Sequence, residues 1–156
     1  MTQPMLLLPL DLQYFASTYD ANDIINGLYG TVHDENGQQV QSTQEFEANI
    51  EFNKEERTIP GVFMKAHKVV SGNGSGSMVL DHIDTKLQKK IAENPYGKYN
   101  YIGALKDPTA KGEEAVLLEG VSFDGTKLIG FNVEELGQIE LDFTYDRFRY
   151  LKTING

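Results

Sequence analysis

The sequence reads FEANIEFN at residues 46–53, and this short stretch decides the predicted fold. Apolar residues hold every even position, and polar residues hold every odd one. Because successive side chains of a strand point to opposite faces, the alternation predicts a β-strand with one dry face and one wet face. Glu47 and Glu51 make that wet face acidic.

The residues that follow predict a long hairpin. A charged run at residues 54–57 leads to Ile59-Pro60-Gly61, where proline suits the second position of a type II turn and glycine accepts the positive φ of the third. A second extended run is predicted at residues 63–70. Glycine-rich residues 71–77 then interrupt the pattern, and residues 78–80 resume it. We therefore expect a hairpin, a glycine-rich link and a further strand.

Most of the remaining chain also follows β patterns. Asn36-Gly37 and Asp124-Gly125 are typical of tight turns between strands. Further strands are predicted at residues 27–33, 99–105, 115–123, 127–133 and 138–146, and the last repeats the apolar and acidic alternation of residues 46–53. The predicted fold class is mainly β, with residues 1–20 as an N-terminal extension and residues 21–156 as one domain.

One helix is predicted between these strands. Thr85 and Gln88 have the spacing of a capping box, and Leu87 and Ile91 form a narrow apolar stripe. Pro95 ends the helix, because the residue before a proline avoids the helical region. A helix of about ten residues is too short to be stable alone, so it should pack on the sheet.

Charge and cysteine content exclude some classes of function. The chain has 23 acidic and 14 basic side chains, a formal net charge of −9 and no cysteine. Such a surface repels nucleic acid and anionic membranes. Without cysteine there is no disulfide and no thiolate metal site.

Catalytic, metal and phosphate sites find little support in the sequence. His33, His67 and His82 lack a recognised ligand spacing, and Asp81 and Asp84 stand where helix capping is the commoner use of aspartate. Residues 72–76 are rich in glycine but lack the Gly-Lys-Ser/Thr end of a phosphate-binding loop. The adjacent pairs at residues 55–56 and 134–135 are typical of solvated turns. We predict no catalytic residue, no metal and no cofactor.

Three segments resemble a known family. They are FEANIEFNK at residues 46–54, His67-Lys68 with the glycine-rich residues 72–76, and GVSFDGTKLIGFNV at residues 120–133. In content and order they resemble the tail tube proteins of PBSX-like phages and of phage-derived tails of Gram-positive bacteria. The resemblance extends over residues 27–145.

The resemblance implies a fold and a function. The fold would be an antiparallel β-sandwich or partial barrel with one flanking helix and a long hairpin loop, and six copies would form a ring. Stacked rings would form the tail tube of a virion, assembled in the host cytoplasm, through which double-stranded DNA passes without specific binding. Other partners would be the tape measure, tail terminator and baseplate proteins and, in a contractile tail, a sheath. A membrane would not be a partner, and no enzymatic activity is expected.

Two sets of residues follow from that role. Acidic side chains on the wet faces of two strands would line the lumen and repel phosphates: Glu47, Glu51, Glu140 and Asp142. The hairpin loop at residues 53–64 would reach a neighbouring subunit through Asn53, Lys54, Glu55, Glu56, Arg57, Ile59, Pro60 and Phe63.

Other hypotheses stay open at this point. The chain could form the inner tube of a contractile bacteriocin-like particle, which carries no DNA. It could instead be a soluble sandwich that binds carbohydrate through Tyr96, Tyr99 and Tyr101, and the acidic strand faces would then be ordinary solvated surface.

Overall fold

The computed structural model describes residues 20–40, 42–110 and 112–154. The predicted N-terminal extension, residues 1–20, lies outside this part of the chain except for Asp20. Within it, no helix is long and apolar enough to cross a membrane.

Seven strands and one α-helix form the described part of the chain. The helix α1 is Lys86–Glu93, and 3-10 turns occupy Ala21–Asp23 and Gly27–Tyr29. The strands are β1 Gly30–His33, β2 Thr43–Arg57, β3 Ala66–Asp81, β4 Tyr99–Leu105, β5 Glu114–Phe123, β6 Gln138–Tyr145 and β7 Arg147–Lys152.

All strand pairs are antiparallel, and they form two layers. One layer contains β2, β3 and β6, and the other contains β1, β4, β5 and β7. The end of β5 pairs with β6 through Ser122 and Phe123, which joins the two layers. The predicted antiparallel sandwich or partial barrel is therefore confirmed.

The core lies between the layers. The apolar positions of β6 at residues 139, 141, 143 and 145 are buried, and the positions between them are exposed, as the alternation predicted. Phe143 stacks on Phe46 at 5.8 Å between ring centroids and meets Phe123 edge-on at 6.1 Å. Met78 and Leu141 are fully buried beside them. This aromatic cluster fixes β2 and β6 over β5.

The glycine-rich segment is not a link, and this corrects the sequence prediction. β3 runs without interruption from Ala66 to Asp81, through residues 71–77. Gly74 and Gly76 face the core, where a Cβ on Gly74 would lie 2.7 Å from Tyr145 Cδ2 and one on Gly76 would lie 2.8 Å from Phe143 Cε1. The alternate glycines make room for aromatic rings of the neighbouring strand.

Four further predictions were wrong in whole or in part. Residues 127–133 form no strand but belong to an irregular connection between β5 and β6. The capping box is not formed, because Thr85 makes no side-chain cap bond and Gln88 Nε2 instead donates to Lys127 O at 2.9 Å. The strands predicted at residues 27–33 and 63–70 begin only at Gly30 and Ala66, and β7 was not predicted at all.

The hairpin turn was predicted correctly. Val62 N donates to Ile59 O at 3.0 Å, and Gly61 has φ +81°, as the third position of a type II turn requires.

Candidate assembly surfaces

The predicted acidic residues lie on one face of the β2–β3–β6 layer. Glu47 pairs with Ser77, which pairs with Asp142, so these three form one row across the layer. Since side chains two residues apart share a face, Glu51 and Glu140 lie on the same side. All four predicted carboxylates are exposed.

This acidic face carries a fifth carboxylate that the sequence prediction missed. Glu45 pairs with Val79, which pairs with Glu140, in the row beside that of Glu47. Between the row of Glu45 and the row of Glu51, the remaining positions are small or uncharged, and none is Lys or Arg. These rows comprise Glu45, Glu47, Asn49, Glu51, Asn73, Ser75, Ser77, Val79, Glu140, Asp142 and Thr144, and the next row adds Asp81 and Gln138. The face therefore presents only negative charge.

The opposite, apolar face of this layer is open at one side. A cleft of about 1190 Å³ separates the layers there, and its lining includes Ala48 and Ile50 from β2 and Phe148 and Tyr150 from β7. β2 pairs only with β3, and β7 pairs only with β5, so each has one free edge in the described structure. Free edges beside exposed apolar side chains favour strand pairing with another chain.

The β7 edge was missed by the sequence prediction. Phe148 and Tyr150 are about half exposed, and Arg147 and Arg149 alternate with them. The first four residues of RFRYLK alternate between basic and apolar in the sequence. A single residue separates them from β6, so the sequence shows no turn before a new strand. Asp146 N donates to Glu119 O at 3.0 Å at the bend between the two strands.

The outer half of the β2–β3 hairpin stands apart from the sandwich. We call residues 53–68 the hairpin arm. β6 pairs with β3 only from Gly74 to Asp81, so no third strand of the described residues pairs with the arm. The predicted inter-subunit residues all lie on it, the first five on β2 and the last three in the tip.

The arm is weakly stabilised within its own chain. Glu56 contacts Lys65 at 3.4 Å and His67 at 3.6 Å, but these side chains are exposed, and an exposed ion pair such as Glu56–Lys65 contributes about 0–1 kcal/mol. Phe63 at the tip is 97% exposed, and Met64 is 72% exposed. Because an isolated two-stranded hairpin is only marginally stable in water, the arm is suited to pack on a partner.

A second exposed apolar surface lies in the connection between β5 and β6. We call residues 124–137 the apolar loop, and its large side chains Leu128, Ile129, Phe131, Val133 and Leu136 are all exposed. Two hydrogen bonds connect this loop to the rest of the chain. Gln88 Nε2 of α1 donates to Lys127 O, and His82 N donates to Gly137 O at 2.9 Å. The sequence prediction assigned residues 127–133 of this loop to a strand that follows the tight turn at Asp124-Gly125.

Titratable groups with shifted pKa values serve the fold. Asp107 accepts hydrogen bonds from Thr109 N and Oγ1 and from Asn26 N, which hold the pKa of its carboxyl below the usual range. Burial raises the pKa of the Tyr101 hydroxyl. Asp107 ties the 3-10 segment to the turn after β4, and Tyr101 lies in the core.

The residues considered for other functions are dispersed. In residues 20–40, 42–110 and 112–154, no three His, Cys, Asp or Glu side chains cluster as metal ligands. Tyr99 and Tyr101 are buried in the core, whereas Tyr96 is exposed. A carbohydrate site built on all three tyrosines is therefore not formed.

Some known proteins are similar to this chain in sequence, and others are similar to it in fold. A family model described as phage tail tube protein matches residues 17–152. The phage-like element PBSX protein XkdM and the uncharacterized protein YqbM, both of Bacillus subtilis strain 168, are each 31% identical over 120 residues, which covers 72% of this chain and 80% of theirs.

Solved structures share the fold at low identity. In the sheath-tube complex of the extracellular contractile injection system PVC, a chain superposes with a TM-score of 0.66 at 12% identity, covering 90% of this chain and 97% of that one. A chain of a native gene transfer agent virion gives 0.61 at 9% identity, covering 83% and 100%. From the family match and the two relatives, this chain belongs to the phage tail tube protein family and is a structural component of a phage-type tail.

Proposed function

We propose that six copies of the chain close into a ring and that rings stack into a tube whose lumen is lined by the acidic face. The observation that carries this proposal is the row-by-row placement of five carboxylates, without a Lys or Arg, across β2, β3 and β6. A conduit for DNA needs such a wall, because cations would bind the phosphate backbone and retain it.

The open side of the sandwich supports lateral assembly. The free edges of β2 and β7 flank the cleft, and Phe148, Tyr150 and Ile50 are exposed beside it. Pairing of one subunit's edge with a neighbour's would bury these side chains and satisfy free backbone groups. Interfaces of this obligate kind usually bury on the order of 2,000 Å² or more.

The proposed role is mechanical and needs neither catalysis nor a cofactor. Its partners are other copies of the chain and, at the ends of the tube, the tail terminator and baseplate proteins, with the tape measure inside during assembly in the host cytoplasm. The alternative is the inner tube of a contractile particle without DNA. This alternative is supported by the fold that the chain shares with a chain of the sheath-tube complex of a contractile injection system.

Electron microscopy of the purified protein at raised concentration tests the assembly. Rings or tubes of uniform diameter are expected. A persistent monomer would contradict the proposal and favour a soluble binding module.

Charge reversal on the acidic face tests the lumen. Glu140→Lys with Asp142→Lys should leave tubes intact but hinder DNA passage, measured as infectivity or DNA ejection of assembled particles. Glu35→Lys with Glu93→Lys is the matched control, since both glutamates are exposed and lie off the acidic face. Full infectivity of the Glu140/Asp142 variant would exclude this lumen assignment.

A further inference from the structure

The cleft between the two layers runs along the free edge of β2. Every residue from Thr43 to Ala48 lines it, and so does Ile50, whichever face of the strand their side chains occupy. Because only the backbone is common to both faces, the cleft lies beside the edge of β2 that β3 does not bond. Among the described strands, β2 pairs with β3 alone. Such an edge is a template for one more strand.

The wall of the cleft opposite β2 is apolar. Val32, Gly103, Val116 and Tyr150 follow one another across four paired strands and form one row of the β1–β4–β5–β7 layer. All four line the cleft, and Tyr150 is 57% exposed. On the β2 side, Ile50 is 43% exposed. A strand added to the edge of β2 would bury its apolar side chains against this wall.

Residues 8–14 have the pattern that such a strand requires, and we call them the leader segment. They read LPLDLQY, with apolar side chains at every even position and Pro9, Asp11 and Gln13 between them. This alternation predicts a strand with one apolar face. Proline is tolerated on an edge strand, where its nitrogen points away from the partner. The leader segment lies outside the described residues, and its seven residues match the eight residues 43–50 of β2 that border the cleft.

The start of the described chain lies beside this cleft. Gly27 lines the cleft, and the preceding residue, Asn26, donates its N–H to Asp107 Oδ2 at 2.9 Å. Asp20, the first described residue, is seven residues before Gly27. The leader segment ends six residues before Asp20, and six residues span at most roughly 20 Å. The segment is therefore within reach of the cleft of its own chain.

The charge of the leader segment suits the acidic face. With its leucines in the cleft, Asp11 and Gln13 would point to the same side of the layer as Glu45 and Glu47. Residues 1–19 contain one Asp and no Lys or Arg. The added strand would therefore bring no cation beside the carboxylates.

We propose that the leader segment pairs with the free edge of β2 in its own chain, with Leu8, Leu10 and Leu12 in the cleft. Main-chain hydrogen bonds to β2 hold the segment, and the apolar wall selects its register. The β2–β3–β6 layer thereby gains a fourth strand. In the proposed ring this strand replaces β2 as the outer edge of the layer, and β7 keeps its free edge. The contact lies within a single chain and does not depend on the ring.

Engineered disulfides test this contact, because the chain has no cysteine of its own. Ala48 is exposed on the cleft side of β2, and Ala48→Cys is combined in turn with Leu8→Cys, Leu10→Cys and Leu12→Cys. Side chains directly opposite on paired strands lie close enough for a disulfide. After mild oxidation, at least one pair should link within one chain in more than half of the molecules. Non-reducing gels and mass spectrometry of the linked peptides measure this.

Ala48→Cys with Asp11→Cys is the matched control and should not link, since these side chains would lie on opposite faces of the layer. Links between two chains would assign the cleft to a strand of a second copy and overturn the inference. The absence of a link from all three leucine positions would also overturn it, as would equal linking from Asp11.

Hydrogen exchange of the unassembled protein gives a second readout. The protein is kept dilute, and sedimentation confirms that it is monomeric. Leu10→Asp should raise the exchange rate of free-edge amides in residues 43–50 by tenfold or more, because an edge without a partner strand is open to water. Gln13→Asp adds the same charge on the other face and should leave that rate unchanged. An unchanged rate in Leu10→Asp would contradict the contact.

The contact and the proposed ring fail separately. If the protein forms rings but no leucine position links to Ala48→Cys, the ring stands and the leader contact is wrong. If a leucine position links within the chain and the protein stays monomeric at raised concentration, the contact stands and the proposed function fails.

Discussion

Phe46 and Met78, in the inner half of the β2–β3 hairpin, lie against the core, whereas Phe52 and Val70, in the outer half, face solvent. The two halves share the same strands and much the same apolar spacing. They differ in their neighbours, because β6 covers β3 from Gly74 to Asp81 and leaves the rest uncovered. The same local pattern thus builds a core at one end of the hairpin and an interface at the other.

The largest difference between the halves should appear on truncating an aromatic ring. Phe143 is 1% exposed, and its ring packs against the inner half. Phe143→Ala should therefore lower the free energy of unfolding by about 3–5 kcal/mol. Phe52→Ala, in the outer half, should cost about 1 kcal/mol or less. Urea denaturation of unassembled protein measures both, and equal losses would refute the distinction.

A smaller loss of folding free energy is expected when a glycine of β3 is replaced by alanine. Gly76→Ala would force a Cβ against the backbone oxygen of Glu47 and the ring of Phe143, and should cost about 1–3 kcal/mol. Gly72→Ala lies on the same face beyond the cover of β6, and its Cβ would lie 3.5 Å from Glu51 O, an ordinary contact. We expect no loss there, since alanine restricts the unfolded chain more than glycine does. Thermal unfolding of both variants is the measurement, and a loss at Gly72 as large as at Gly76 would contradict this.

A side-chain hydrogen bond lies at the boundary between the two halves of the hairpin. Tyr145 Oη donates to Asn49 O at 2.7 Å and so links β6 to β2 across β3. Tyr145→Phe should therefore lower the free energy of unfolding by about 0.5–1.5 kcal/mol. Tyr150→Phe on exposed β7 is the matched control and should change little in the same denaturation experiment. An unchanged midpoint for Tyr145→Phe would show that the bond contributes nothing.

The smallest effect on the isolated chain belongs to the arm tip. Phe63→Ala should change the free energy of unfolding by no more than about 0.5 kcal/mol, because Phe63 is 97% exposed. The concentration needed for tube formation should nevertheless rise by about tenfold or more, as expected for an anchor residue of an interface. Light scattering against concentration measures it, and an unchanged threshold would remove Phe63 from the interface.

The strands with the clearest alternation were predictable from sequence. β6 and the inner half of β2 alternate at a period of two, and this period is a property of the chain itself. The turn at Pro60-Gly61 was also predictable, because proline restricts φ and glycine permits positive φ wherever they stand in the fold. The acidic face followed as well, except for Glu45, which lies just before the predicted start of the strand.

Other features depended on distant residues. Residues 71–77 belong to a strand because the rings of Phe143 and Tyr145, about 70 residues later, lie over Gly76 and Gly74. Residues 127–133 alternate like a strand, but no described strand pairs with them, and alternation without a partner forms no ladder. α1 shows the same limit, because Gln88 Nε2 donates to Lys127 O of the apolar loop instead of capping the start of the helix.

The sequence by itself determined the two-faced strands and the acidity of their wet side, because side-chain direction along a strand follows from local geometry. Only the tertiary structure decided which apolar residues are buried and which remain exposed on the arm, the apolar loop and β7. Burial depends on where β6 ends against β3, and that register is set by contacts between residues far apart in the chain.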